Sequence, residues 1–157
     1  MTHEELWEGW WAAWTGRDVR AFESVCAPAV HYEDPVAREP LQGIAELGEH
    51  ARRRWDAFPD ARLEAAGAIV GDEDHSVAPA RLRGTTRGPL GSLPASDRPL
   101  AVHLLFYGEL ERGRLMRVRT FVDLYEAGVQ LGVLPARGTL SARALLALRG
   151  YGLRVNR

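Results

Sequence analysis

Few side chains in this sequence could move a proton, and one of them stands directly before a proline. In the stretch His31-Tyr32-Glu33-Asp34-Pro35, two acids follow the apolar run Ala29-Val30. Proline keeps its predecessor out of the α region and gives no donor to a sheet ladder. Asp34 therefore falls where a strand ends and the chain turns. A carboxylate in that place can bond the N–H groups of its own turn. Alternatively it lies at the mouth of an apolar cavity as a general base, with partial burial raising its pKa toward neutrality.

Asp123 is the second carboxylate of interest. Over 114–124, strand alternation puts Leu115, Arg117, Arg119, Phe121 and Asp123 on one face. Met116, Val118, Thr120, Val122 and Leu124 make the other. The first face reads either as a pocket lining in which Arg119 keeps Asp123 ionised, or as a solvated exterior. The more apolar second face speaks for the exterior, which only a β-bulge or strong curvature would reverse. His31 and His103 lie inside predicted strands, His103 on the side of Ala101, Leu105 and Tyr107. Such a histidine is a core or interface residue more often than a catalyst. His3, His50 and His75 read as surface residues. No metal-ligand spacing, nucleophile elbow or phosphate loop is present.

The elements that must position these groups begin with a helix. Trp7, Trp10, Trp11 and Trp14 form one aromatic stripe, suited to packing or to a wall for a flat apolar ligand. Gly16 ends that helix, and Asp18 is placed to cap a short second one. Ile44, Leu47, Ala51 and Trp55 keep helical spacing from Gly43 to about Ala57, and Pro59 closes the segment. Residues 61–71, 75–87, 99–111 and 114–124 read as strands, and 124–131 as a short helix. Helices followed by a meander predict an α+β fold with helices on one face of an antiparallel sheet. The tail, 133–157, has five arginines and no acid, with an amphipathic stretch that Ser141 is placed to cap.

The chain has 157 residues, net charge −1 and 46% hydrophobic content, which fits one globular domain and gives no sign of a polyanionic partner such as nucleic acid. All basic residues are arginine, so lysine-based Schiff-base chemistry is excluded. A single cysteine, Cys26, allows no internal disulfide, in keeping with a cytoplasmic protein. No apolar run reaches the roughly 18 residues of a membrane span.

Taken together, "YEDP", "WDAFPDARLE", "GTTRG", "LPASDRPLAV" and "DLYEAGVQLG" resemble the SnoaL-like polyketide cyclases of the NTF2-like superfamily, from about Trp7 to Val133. The EDPV stretch is similar to that of ketosteroid isomerases. The resemblance implies a cone-shaped α+β domain over 1–134, with N-terminal helices on the concave face of a curved antiparallel sheet and the basic tail 135–157 outside it. It implies acid–base chemistry without cofactor or metal, on a carbonyl compound in a dry cavity. Asp34 matches the isomerase base and Asp123 the cyclase acid/base. Trp10, Trp14, Tyr32, Trp55 and Phe58 would form the apolar wall. Thr86, His103, Arg119 and Phe121 would complete the substrate contacts. Homodimerisation is a further expectation. The sequence departs from the cyclases at Thr85-Thr86-Arg87, where a histidine is usual, and from the isomerases at Trp10, which replaces an oxyanion-binding tyrosine. The expected function is thus a cyclase- or isomerase-type enzyme on a hydrophobic carbonyl substrate. The alternatives are a non-catalytic binding or scaffold protein and, more weakly, an epoxide-opening hydrolase built on Arg119 and Asp123.

Overall fold

The computed structural model describes residues 1–37, 39–90 and 94–148. Helix α1 (His3–Gly16) starts on a capping box: Thr2 Oγ1 accepts from Glu5 N–H, and the Glu5 carboxylate accepts from Thr2 N–H. A 3₁₀ turn at Val19–Ala21, capped by Asp18 as its sequence predicts, leads into α2 (Phe22–Val25). Helix α3 (Gly43–Ala57) has the predicted bounds. The strands are β1 (Cys26–Glu33), β2 (Leu41–Gln42), β3 (Arg62–Ala65), β4 (Val70–Gly71), β5 (His75–Thr85), β6 (Pro99–Glu111) and β7 (Arg114–Val122). Helices α4 (Leu124–Gln130) and α5 (Leu140–Leu148) follow. Thr139 rather than Ser141 caps α5, its hydroxyl accepting from Ala142 N–H.

The strands form one sheet in the order β2-β1-β7-β6-β5-β3, with β4 also on β5. The sheet is mixed, which corrects the expectation of an antiparallel one: β1 runs parallel to β7. Local patterning reads the meander of neighbours well, but this ladder joins the first strand to the last. A parallel pair needs a long crossover, here supplied by nearly the whole chain. The predicted strand 61–71 is also broken. Beyond Ala65–Ala80 the next residue opposite is Pro79, which has no N–H, and pairing resumes only at Val70–Val77.

One face of the sheet is covered by α1 and α3. Trp7, Trp10, Phe22, Leu47, Leu115 and Val118 are sealed in this core. Trp7 packs against Phe106 at 5.8 Å between rings, and its indole N–H donates to Ser76 at 2.8 Å. Gly108 admits the Trp7 ring: a Cβ there would lie 3.0 Å from it and 2.7 Å from Leu115. Strand β7 contains a bulge. Glu109 pairs with Arg117 and Leu110 with Leu115, so Met116 is the extra residue. Leu115 and Val118 consequently both face the core, although three residues apart, and Thr120 and Val122 follow them inward.

Candidate active site

The Trp stripe leads from this core to a cavity. Trp7, Trp10 and Trp11 are buried, whereas Trp14, about 10 Å further along the helix by its rise, reaches the wall of a cavity of about 380 Å³. That volume lies in the range of small-molecule sites. The wall is apolar nearly throughout, built by Trp55 and Phe58 from α3, Leu82 from β5, Leu104 and Phe106 from β6, and Leu131 from α4. Its polar groups are Tyr32, Asp34, Arg54, Arg62 and Thr120.

Asp34 is the single acid on this wall, and its side chain is only 7% exposed. Pro35 turns the chain so that Asp34 Oδ1 accepts from the N–H groups of Val36 and Ala37, both at 2.7 Å. Oδ2 accepts from the Tyr32 hydroxyl at 3.2 Å and contacts His50 Nε2 at 2.6 Å. Thr120 in turn donates to the Tyr32 oxygen at 3.1 Å. The turn reading of the acid-proline pair holds for one oxygen, while the other belongs to a buried network on the cavity wall, and the expected rise of the pKa toward neutrality is not found. Burial pushes the Asp34 carboxyl up, but the hydrogen bond and charge of His50, the Val36 N–H and the charge of Arg54 outweigh it. The pKa lies below the usual value, and Asp34 is a carboxylate at neutral pH. Burial, then the Asp34 charge, push the Tyr32 phenol well above its ordinary value, so Tyr32 remains a neutral donor.

His50 corrects a sequence reading. It was expected at the surface, yet it is 3% exposed, sitting behind Asp34 with its ring 5.7 Å from that of Tyr32. The signal was present in the helix: Leu47, His50, Ala51, Arg54 and Trp55 share one α3 face at spacings of three and four. With Asp34 ionised, His50 Nε2 carries a proton and donates it. Arg54 Nε, 3.4 Å from the same nitrogen, then finds no lone pair there.

Of the other expected site residues, Trp14, Tyr32, Trp55 and Phe58 line the cavity. Trp10 does not; it is wholly buried between Phe22, Tyr32 and Phe106. Thr86 is buried in a loop clamp, bonded to Ser96 Oγ and to the backbone of Arg98. His103, Arg119 and Phe121 lie on the outer face of the sheet. The Met116 bulge sets Leu115 apart from this group, which the alternation had placed on the same face. Arg119 pairs there with Glu33 at 2.9 Å, a contact created by the parallel ladder. Asp123 is exposed and accepts from Glu126 N–H as the N-cap of α4. It is not on the cavity wall, so Asp34 and Asp123 do not share one pocket, and the Arg119 and Asp123 of the epoxide-opening alternative both lie outside it. Burial pushes the Cys26 thiol up to about 12, which leaves it inert as a nucleophile. Among the described residues no cluster of three His, Cys, Asp or Glu is placed to hold a metal ion, and no helix is long and apolar enough to cross a membrane.

The sequence model of the SnoaL-like polyketide cyclases matches residues 4–131. The chain belongs to this family. TsrD from Streptomyces laurentii is 27% identical, with a TM-score of 0.75 over 83% of this chain and 95% of its own. A protein of Catenulispora acidiphila with a ketosteroid isomerase-like fold, solved with trimethylamine, is 21% identical, with a TM-score of 0.72 over 88% and 99%. IdmH from Streptomyces antibioticus, a candidate polyketide cyclase, is 20% identical, with a TM-score of 0.70 over 83% and 98%. Among curated proteins none gives a significant match. The matched residues run from α1 to the end of α4, and α5 lies beyond them.

Proposed function

We propose that this SnoaL-like protein is an acid–base enzyme acting on a hydrophobic carbonyl compound, of cyclase or isomerase type, with Asp34 as the proton carrier. The observation that supports this is one ionised carboxylate on a largely apolar wall, backed by buried His50 and flanked by a neutral phenol. In this reading a substrate α-carbon approaches Asp34 Oδ2. The C–H bond breaks, its proton passes to Oδ2, and its electron pair moves onto the carbonyl oxygen. Tyr32, released from Oδ2 as that oxygen is protonated, turns its O–H to the new enolate oxygen, and Thr120 holds the phenol oxygen from behind. Tyr32 so takes the oxyanion role that the sequence comparison assigned to the position of Trp10. In a cyclisation the enolate carbon then attacks a second carbonyl, and the resulting alkoxide takes the proton back from Asp34. The depressed pKa makes Asp34 a weak base, so the substrate carbon must be activated, as between two carbonyl groups.

The test is solvent-deuterium exchange into a cyclic 1,3-diketone, followed by NMR. Asp34→Asn is expected to lower the exchange rate by about 10²–10⁴-fold. Exchange that needs the folded protein yet is untouched by the substitution would remove the proposal.

One observation favours a second reading, a cavity that binds without catalysis. All four acceptor positions of Asp34 are occupied, as befits a structural buttress. Wild-type protein that binds the diketone and catalyses no exchange would establish it. We also propose a homodimer through the outer sheet face. Leu105 and Phe121, 39% and 49% exposed, pair directly across β6 and β7 there.

A further inference from the structure

Arg54 has no role in the turn at Asp34 or in the core, and its surroundings are incomplete. It stands on the cavity wall at the last turn of α3, half-buried. Among the described residues, the one neighbour of its side chain within hydrogen-bond distance is His50 Nε2, which is spent on Asp34. Among the described residues it forms no ion pair. Yet the charge of Asp34 is close enough for each group to feel the other. A guanidinium taken partly out of water without acceptors is unfavourable, and Asp34, saturated by four donors, does not relieve it. Arg62, exposed at the rim of the same cavity, adds a second cation. Two arginines against one aspartate leave this wall with a net positive charge, in a space otherwise lined by aromatic and aliphatic groups.

We propose that Arg54 is the anchor for a carboxylate carried by the cavity's ligand, which makes the substrate class an apolar, ring-bearing acid rather than a neutral ester or amide. The planar fork of the guanidinium meets both oxygens of a carboxylate at once. The apolar wall receives the rest of the molecule. Anchoring there holds one end of the ligand in the part of the cavity where Asp34 lies, so this assignment deepens the reading of the same cavity and rests on it for the chemistry. It also completes the charge pattern, since the bound anion supplies the acceptor that Arg54 lacks.

The test is calorimetric titration of the whole protein with 2-naphthoate and with its neutral isostere 2-naphthamide. The wild type is expected to bind the acid about 10–100-fold more tightly. Arg54→Gln should abolish that preference, the loss falling far more heavily on the acid than on the amide. Arg54→Lys should restore only part of it, and Arg62→Gln should weaken it slightly. The comparison of the two probes on wild type stands even if a variant fails to fold. Equal affinity for acid and amide overturns the assignment, as does failure of both probes to bind, or a preference that survives Arg54→Gln. A preference abolished by Arg62→Gln alone would place the anchor elsewhere and overturn it too. This readout is separate from exchange. Anchoring without Asp34-dependent exchange removes the enzyme and keeps the site, while exchange without acid preference does the reverse.

Discussion

At the scale of single residues, the Asp34–His50 contact makes the sharpest predictions. Two opposed effects act on Asp34: burial raises its pKa, and the His50 hydrogen bond and charge, with the backbone donors, lower it further than burial lifts it. In a carboxyl-carbon NMR titration Asp34 should titrate below the reference of about 3.9. In His50→Ala the larger lowering effects go and burial remains, so the titration should move upward. A pKa unchanged by the substitution would show that His50 does not hold the carboxylate. The stability consequence follows by linkage. A folded pKa below the unfolded one adds stability that is complete above about pH 3.9 and is lost as pH falls through the folded value. His50→Ala should therefore lose most of this acid-sensitive contribution, so that its deficit against the wild type is largest above about pH 3.9 and shrinks as pH falls. That variant should also be less stable at neutral pH, by about 3–5 kcal/mol for a buried pair deprived of one partner. Of this site, Asp34 was legible because proline marks its backbone. His50 and Arg54 were legible only in part. Their spacing placed them on the buried stripe, but residue type argued for the surface, and only a partner from a distant strand end makes such burial affordable.

At the scale of elements, caps and bulges decide which groups reach the cavity. Asp123 holds the first turn of α4, and α4 supplies Leu124, Ala127 and Leu131 to the wall. Asp123→Ala should lower stability by about 0.5–2 kcal/mol, measured by urea unfolding. It should leave the Asp34 titration in place. A displaced Asp34 titration would mean that the two carboxylates communicate after all. Strand β6 could be bounded from sequence at both ends and helix α3 at its start, with its end placed near Ala57, because helical spacing, glycine and proline agree there. The division of the strand predicted at 61–71 could not. It depends on the missing N–H of Pro79, some ten residues further on, and a ladder partner is invisible to local pattern.

At the scale of the whole molecule, the fold was readable through recurring short motifs rather than through pairing rules. Periodicity supplied the helices and the meander. The parallel contact of β1 with β7 came from neither, since it depends on how the completed sheet closes around its helices. That contact also decides the outer surface by bringing Glu33 against Arg119 beside the exposed Leu105–Phe121 pair. If this face is the dimer contact, Phe121→Glu should convert a dimer to a monomer in sedimentation equilibrium, with the melting temperature becoming independent of protein concentration. A wild-type monomer at micromolar concentration would dispose of that proposal.

The extra residue at Met116 has a consequence for how such a chain can change over generations. Downstream of it, Val118, Thr120 and Val122 look inward while Arg119 and Phe121 look outward, and nothing but a count of two separates the sets. One codon gained after the bulge would exchange them wholesale: the hydroxyl behind Tyr32 would leave, and the guanidinium of Arg119 would arrive in its place. Substitutions can tune this cavity one contact at a time, but a single insertion in β7 would trade its lining for its exterior in one step.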